Sequence, residues 1–346
     1  MKANIKDVAK LAGVTISTVS RAFNGYTDIK PETKARIENA AKALNYSVNI
    51  SARNLSAKKP PNIGLIMSGL LEVNRRDSNA HLLVQGVFEY ALKNHLEIAF
   101  YATDSIEQRT TSFIEFCSSH SLSGTILSGI SMDDAYLYEL VDASIPSVAI
   151  DFPILNQTSG WVSVNNRAAM YDMTKAMTAQ GHRDFLIMAG KRTTAVNTER
   201  LHGAVDALKE AGITLKEHRV VYADFSEQTA YSMMKQYLAT VDPSPLTCVL
   251  CFSDIMALGA MRALQESGLR IPQDVSVTGF DDLPIAEFTS PPLSSVRQDM
   301  RQIGFEGASM LHQIMTRDTG GSHKLIPHEL VLRGSSAPLS PKDTGT

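Results

Sequence analysis

Two groups of side chains in this sequence have the types and spacing for chemistry. The first lies near the N-terminus, in GVTISTVSRAFNG at residues 13–25. There Thr15, Ser17, Thr18 and Ser20 surround one guanidinium, Arg21, and one exposed-type aliphatic chain, Ile16. Hydroxyls donate and accept, and a guanidinium donates in a planar fork, so the set suits a flat surface of hydrogen-bonding edges. The second group is dispersed. Asp151 ends SVAID, Arg200 begins RLHGA, Ser253 and Asp254 follow CVLCF, and Asp281 and Asp282 close VSVTGFDD. Carboxylates that accept and an arginine that donates suit a polyhydroxylated ring held in a cleft. Asp254 and Asp282 have the alternative of capping the helices that follow them, and Arg200 that of pairing on a solvated face.

Other candidates dissolve on inspection. Cys248 and Cys251 form C-x-x-C, but inside an apolar run of β type. Residues three apart on a strand face opposite sides, so the pair reads as buried strand and not as a redox site. His323 and His328 in HKLIPH are separated by Pro327 in a strand-like context, which disfavours a metal site. No G-x-S-x-G, P-loop or H-E-x-x-H occurs. The sequence therefore predicts no catalytic residue, no metal and no cofactor.

The elements around the first group read as three short helices. NIKDVAKLAG begins on Asn4 as N-cap with Asp7 at the positive end of the dipole, and Gly13 permits a left-handed stop. Thr15 can cap ISTVSRAFN, with Val19 and Phe23 inward and Ile16, Ser17, Ser20 and Arg21 outward. PETKARIENAAKALNY starts on Pro31 and turns Ile37, Ala40, Ala41 and Leu44 inward. Residues 1–60 hold eleven basic and four acidic side chains, a net of +7, which leaves −10 for the rest of a chain whose total is −3. A basic head on an acidic body suggests that the head meets a polyanion. Helix, turn, helix and support is the architecture of a DNA reader, with a small protein-binding three-helix bundle as the alternative.

From Ile63 onward strands alternate with helices. NIGLIMSG, EIAFYAT, GTILSG and SVAIDF read as strands of one half. WVSVNN, RDFLIMAG, RVVYAD, TCVLCF and VSVTGFDD read as strands of a second. That alternation predicts an α/β fold with parallel sheets covered by helices on both faces, in two lobes with a cleft at the carboxyl ends of their strands. At 346 residues with 44% hydrophobic side chains, the chain is long enough for two or three domains. No apolar run approaches the roughly 20 residues of a membrane helix. The charged N-terminus does not read as a secretory signal, so a cytoplasmic location is expected.

IKDVAKLAGVTISTVSRAFNG with TKARIENAAKALNY closely resembles the N-terminus of LacI/GalR-type bacterial transcriptional regulators. The likeness continues through SDIMALGAMRALQESGLRIPQDVSVTGFDD and PPLSSVRQD. It implies that Ile16, Ser17 and Arg21 read base edges in the major groove. The chemistry agrees: arginine suits a guanine edge, serine either partner type, isoleucine a thymine methyl. Asn4, Thr15, Thr18 and Asn24 have the types for phosphate contact. Residues 47–60 match the hinge helix, with Ala52 and Leu55 in the minor groove and Leu55 as the wedge. Val48 stands where the family usually has proline. The resemblance further implies a core like that of periplasmic sugar-binding proteins, with three crossings between lobes. The domains expected are 1–46, 47–60 and 61–346, with an N-lobe of about 61–160 and 291–320 and a C-lobe of about 161–290 and 321–337. Arg200, Ser253, Asp281 and Gln298 match effector-contacting positions, Phe225 matches a stacking aromatic, and Asp151, Asn79 and His81 are further candidates.

The function implied is that of a sequence-specific regulator, a repressor, controlled by a sugar-like effector in the interlobe cleft. A homodimer on a near-palindromic operator is expected, because one helix-turn-helix reads only a few base pairs. The tail after Leu332 lacks leucine heptads, so no C-terminal tetramerisation helix is expected. A sugar-binding or sugar-metabolising protein without operator binding is the alternative.

Overall fold

The computed structural model describes residues 4–23, 29–44, 62–70, 79–142, 144–154, 156–240, 246–317 and 321–339. The chain divides into two compact units, Met1–Lys59 and Pro60–Thr346. Ala52 and Leu55, the expected hinge residues, and Asn24 lie outside the described residues.

The described residues of the head form three helices, α1 (Ile5–Ala12), α2 (Ile16–Phe23) and α3 (Pro31–Ala43). Asn4 and Asp7 form a reciprocal capping box: the Asn4 side chain accepts from the Lys6 N–H, and Asp7 accepts from the Asn4 N–H, both at 2.9 Å. Gly13 ends α1 at φ 65°, a left-handed backbone that glycine adopts without steric penalty. Val8, Ala9, Val19, Ala22, Ile37, Ala40 and Ala41 make the small core. Val19 is fully buried on α2 with Ala22 buried beside it, and Phe23 packs at the edge.

The second unit holds two six-stranded sheets. The first runs β11-β5-β4-β3-β1-β2: His323–Ile326, Ser159–Val164, Ser147–Ile150, Gly124–Ser128, Asn62–Ser68 and Glu97–Thr103. The second runs β12-β10-β9-β8-β6-β7: His328–Val331, Ser294–Gln298, Ser276–Asp281, Cys248–Cys251, Phe185–Ala189 and Val220–Tyr222. Among the described residues these strands pair in parallel, except β10 with β12. In each lobe the strand order reverses beside the first strand, at β1/β3 and at β6/β8. Such switch points open a crevice at the carboxyl ends of the strands.

Among the described residues nine helices cover the sheets: α4 (Ala80–Lys93), α5 (Glu107–Thr110), α6 (Phe113–Ser119), α7 (Ala135–Asp142), α8 (Asn166–Ala179), α9 (Ala195–Glu210), α10 (Glu227–Thr240), α11 (Asp254–Glu266) and α12 (Met300–Arg317). α4 meets α12 where a Cβ on Gly86 or Gly304 would strike the facing backbone. Gly203 plays the same part between α9 and α8, and Gly259 between α11 and α10. No described helix is long and apolar enough to cross a membrane.

The lobe boundaries differ from those expected. WVSVNN reads as the first strand of the second half, yet β5 pairs with β4 and β11 and so belongs to the first sheet. β10 pairs with β9 in the second sheet, although the first lobe is expected to take in about residues 291–320, and β11 returns to the first, although about residues 321–337 are expected in the second. The chain thus crosses at Val164/Asn166, Gln298/Met300 and Ile326/His328. A strand's own residues fix its pleat, but its sheet is fixed by partners far away in sequence.

The cysteine pair lies in β8 as a buried strand, both thiols free, and burial pushes both pKa values up. His323 stacks on Trp161 with ring centroids 5.0 Å apart, and His328 Nε2 sits 2.9 Å from an Asp172 oxygen. Among the described residues no group of three His, Cys, Asp or Glu side chains could hold a metal.

Candidate functional site

α2 presents Ile16, Ser17 and Arg21 on its exposed side, while Val19 and Ala22 face the head core. Ile16 is 44% exposed, an aliphatic contact surface on the first turn. Thr15 Oγ1 accepts the Thr18 N–H at 3.2 Å and bonds the Thr18 hydroxyl at 2.8 Å. Two of the expected phosphate-binding side chains therefore also build the start of α2. Asn4 does the same for α1. Lys6, Lys10, Lys30, Lys34, Arg36 and Lys42 are exposed around these helices.

The second site is a cavity of about 150 Å³ in the crevice between the lobes. Asn79, Asp151, Arg200, Phe225, Ser253, Asp281 and Gln298 line it. His81 does not: it is exposed on α4, whose Ala80 and Leu83 face the cavity. On a helix the residue after Ala80 is turned by about 100°, away from the side that Ala80 and Leu83 share. Met67, Ile130, Ile150, Leu283 and Met300 complete the wall with apolar surface that carried no chemical signal in the sequence.

Arg200 is the anchor. Its Nε donates to Asn166 Oδ1 at 2.8 Å, its Nη1 to the Phe252 carbonyl at 2.5 Å, and its guanidinium lies 3.5 Å from the Phe280 ring centre. Burial pulls its pKa down, and the carboxylates of Asp281, Asp151 and Asp254 oppose that pull. Asp281 accepts from Gln298 Nε2 at 2.5 Å, while Gln298 Oε1 is buried without a protein partner. Asp151 accepts from Ser163 Oγ at 2.5 Å. Ser253 is the N-cap of α11, its Oγ accepting from the Met256 N–H.

The neighbours of these residues have other work. Asp254 is fully buried, accepting from Ser295 Oγ at 2.6 Å and the Leu283 N–H at 2.7 Å, and burial raises its pKa well above the usual carboxylate range. Asp282 bonds Arg297 at 2.7 Å and Arg333 at 2.6 Å. Both therefore brace the segment that carries Asp281; neither caps a following helix through its side chain.

Backbone geometry marks the same place. Of seven described non-glycine residues with positive φ, Asp151 (62°), Phe225 (57°) and Asp281 (114°) line the cavity, and Asp224 and Asp282 adjoin it. Such conformations cost on the order of 1–3 kcal/mol each and gather at binding sites, where the surroundings enforce them. The sequence gives no hint of them beyond a frequency of aspartate, which tolerates this region better than most residues.

Comparison with known proteins places the chain in a family. The family model described as bacterial regulatory proteins, lacI family, matches residues 4–49, and that of a periplasmic binding protein-like domain matches residues 174–336. The chain is 31% identical over 304 residues to the HTH-type transcriptional repressor PurR of Vibrio atlanticus (strain LGP32), covering 87% of this chain and 89% of that protein. It is 29% identical over 346 residues to the probable HTH-type transcriptional repressor ExuR of Bacillus subtilis (strain 168), covering 96% and 97%. Among solved structures, a transcriptional regulator CelR–cellobiose complex is similar at TM-score 0.74 and 27% identity, over 96% of this chain and 100% of that one. A lac repressor dimer bound to operator and the anti-inducer ONPF is similar at TM-score 0.69 and 26% identity, over 98% and 100%. A basic three-helix head, a cleft at two switch points, and a relative above 30% identity along most of both chains together make this protein a member of the lacI family of bacterial regulatory proteins, a DNA-binding transcriptional regulator.

Proposed function

We propose that this chain represses transcription as a homodimer on a near-palindromic operator, and that a small sugar or sugar derivative in the cleft controls its binding. The observation that carries the reading is the convergence on one cavity of two carboxylates from opposite lobes, Asp151 and Asp281, with the Arg200 fork and the Phe225 ring. Carboxylates accept from ring hydroxyls, the guanidinium donates, and an aromatic face covers the C–H side of a sugar. Residues 1–46 act as the operator reader: Ile16, Ser17 and Arg21 meet base edges, and Asn4, Thr15, Thr18 and Asn24 meet phosphates. Residues 47–60 act as the hinge, with Ala52 and Leu55 in the minor groove, and residues 61–346 as the effector core. The protein works as a regulator in the cytoplasm and not as an enzyme. The names of its relatives favour this, since PurR is called a transcriptional repressor and ExuR a probable one.

The test is a gel shift with a duplex that the full chain selects from a random pool. Binding should be specific and fall steeply with salt, because released counterions drive it. D-glucose, D-galactose, D-ribose and cellobiose are then added in turn, and at least one should release or tighten the complex. Equal binding to random DNA, or indifference to every sugar, rejects the reading.

A further inference from the structure

The first crossing between the lobes lies between Val164, the last residue of β5, and Asn166, the first of α8. Two asparagines meet there and divide the work. Asn165 is exposed and caps α8, its Oδ1 accepting the Ala168 N–H at 3.0 Å. Asn166 is buried, 6% exposed, and its carboxamide is bonded at both ends. Oδ1 accepts Arg200 Nε at 2.8 Å. Nδ2 donates to Ser163 Oγ at 3.2 Å and to the Val164 carbonyl at 3.3 Å. Ser163 Oγ in turn donates to Asp151 Oδ1 at 2.5 Å.

These bonds form one chain: Asp151, Ser163, Asn166, Arg200. Its first two members belong to the first lobe and its last two to the second. Both of its ends, Asp151 and Arg200, line the cavity. A molecule that touches both ends closes a hydrogen-bonded ring through the lobe junction. Asn166 is the member at which the chain passes from one lobe to the other, and it holds a charged partner, whose hydrogen bonds are the stronger kind. A carboxamide is planar, so rotating one lobe against the other cannot keep both of its ends in register.

We propose that Asn166 is a positioning residue that couples the Arg200 guanidinium to the orientation of the two lobes. It rests on the cleft reading above in one respect only, that an effector touches Arg200 and Asp151. The lobe coupling itself belongs to the free protein.

The experiment uses the full chain with spin labels at Ser118→Cys on α6 and Lys209→Cys on α9, both exposed positions on different lobes. The three native cysteines are buried and a label-only control on the parent accounts for them. Labelled chain is diluted into an excess of unlabelled chain carrying the same Asn166 or Ser163 change, and the distance between labels is read by pulsed electron resonance. Without ligand the parent should give one narrow distribution. Asn166→Ala and Ser163→Ala should each broaden it, and the double variant should broaden it no further, since both cut one chain. Ser163→Ala keeps the test open should Asn166→Ala fail to fold. Folded variants that keep the parent's distribution overturn the proposal, whatever their melting temperatures.

D-glucose, D-galactose, D-ribose and cellobiose are then titrated. A sugar that changes the parent's distribution should act on Asn166→Ala about tenfold more weakly, the loss expected for one hydrogen bond to a charged group. Equal potency on both overturns the coupling and leaves the cleft reading intact. Broadened variants with no sugar acting on the parent uphold the coupling and reject the sugar reading.

Discussion

The ring of Phe225 lies flat against Gly190: a Cβ at residue 190 would overlap three atoms of the ring. Gly190 follows β6 and Phe225 follows β7, so the contact ties together two loops at the carboxyl edge of the second sheet. Phe225 also has a left-handed backbone, which fixes where its ring starts. One wall of the cavity therefore depends on the absence of a single methyl group.

Gly190→Ala should push the Phe225 ring into the cavity. We expect a loss of about 1–3 kcal/mol in stability, the usual range for overpacking, and loss of the effector response with operator binding retained. Thermal unfolding and the gel shift with sugars measure both. Adding Phe225→Leu should restore stability without restoring the response. A Gly190→Ala protein that responds like the parent means that Phe225 is not part of the wall that matters.

Arg21→Ala should cost roughly 1–3 kcal/mol of operator affinity and relax preference at one base pair, as a bidentate guanine contact requires. Binding to a set of duplexes with single base changes distinguishes this from a phosphate contact, whose loss weakens all duplexes alike.

Thr15→Ala removes the acceptor for the Thr18 N–H at the start of α2. About 1 kcal/mol of local stability should go with it, seen as faster hydrogen exchange in α2 of the full chain, and Thr15→Ser should restore it. Exchange unchanged in the alanine variant would show that the cap is redundant.

Asp254 sets a pH dependence. Burial raises its folded-state pKa well above the unfolded reference of 3.8, so folding favours the protonated form. Its contribution is full below about pH 4 and is lost as pH rises through the folded pKa. Asp254→Asn keeps an acceptor for the Leu283 N–H, and its amide can donate to the Ser295 hydroxyl. Denaturant unfolding should find the two proteins close at low pH, with the asparagine variant gaining as pH rises. A constant difference across the range means that Asp254 does not titrate in it.

Much of this fold is legible because strands and helices announce themselves by period. RDFLIMAG, TCVLCF and VSVTGFDD become β6, β8 and β9, each a buried run. The residues just beyond such runs, Asp151, Ser253 and Asp281, fall at the cavity for the same reason: in a parallel sheet the carboxyl ends of the strands converge there. What pattern cannot carry is partnership. WVSVNN joins the first sheet because β4 and β11 are there to receive it. QRTTSFIEFCSSH reads as helical and is divided into α5 and α6, because Ser112 caps the second with Glu115. Asn166 and Gly190 look like ordinary turn residues until Arg200 and Phe225, each more than thirty residues away, come to lie on them.

The three crossings between the lobes have a mechanical consequence. Each is a single short connection: Gln298 and Met300, both lining the cavity, flank one, and Asn166, bonded to the cavity residue Arg200, begins the second lobe at another. The cavity sits beside the fulcrum. A rotation there moves the gripping atoms by little, while the far ends of the lobes sweep through arcs that grow with their distance from the axis. A bound molecule thus works on the short arm of a lever. It must resist rotation with strong, well-fixed bonds, and a displacement of a fraction of an ångström beside Arg200 is returned, magnified, at the outer ends of the sheets.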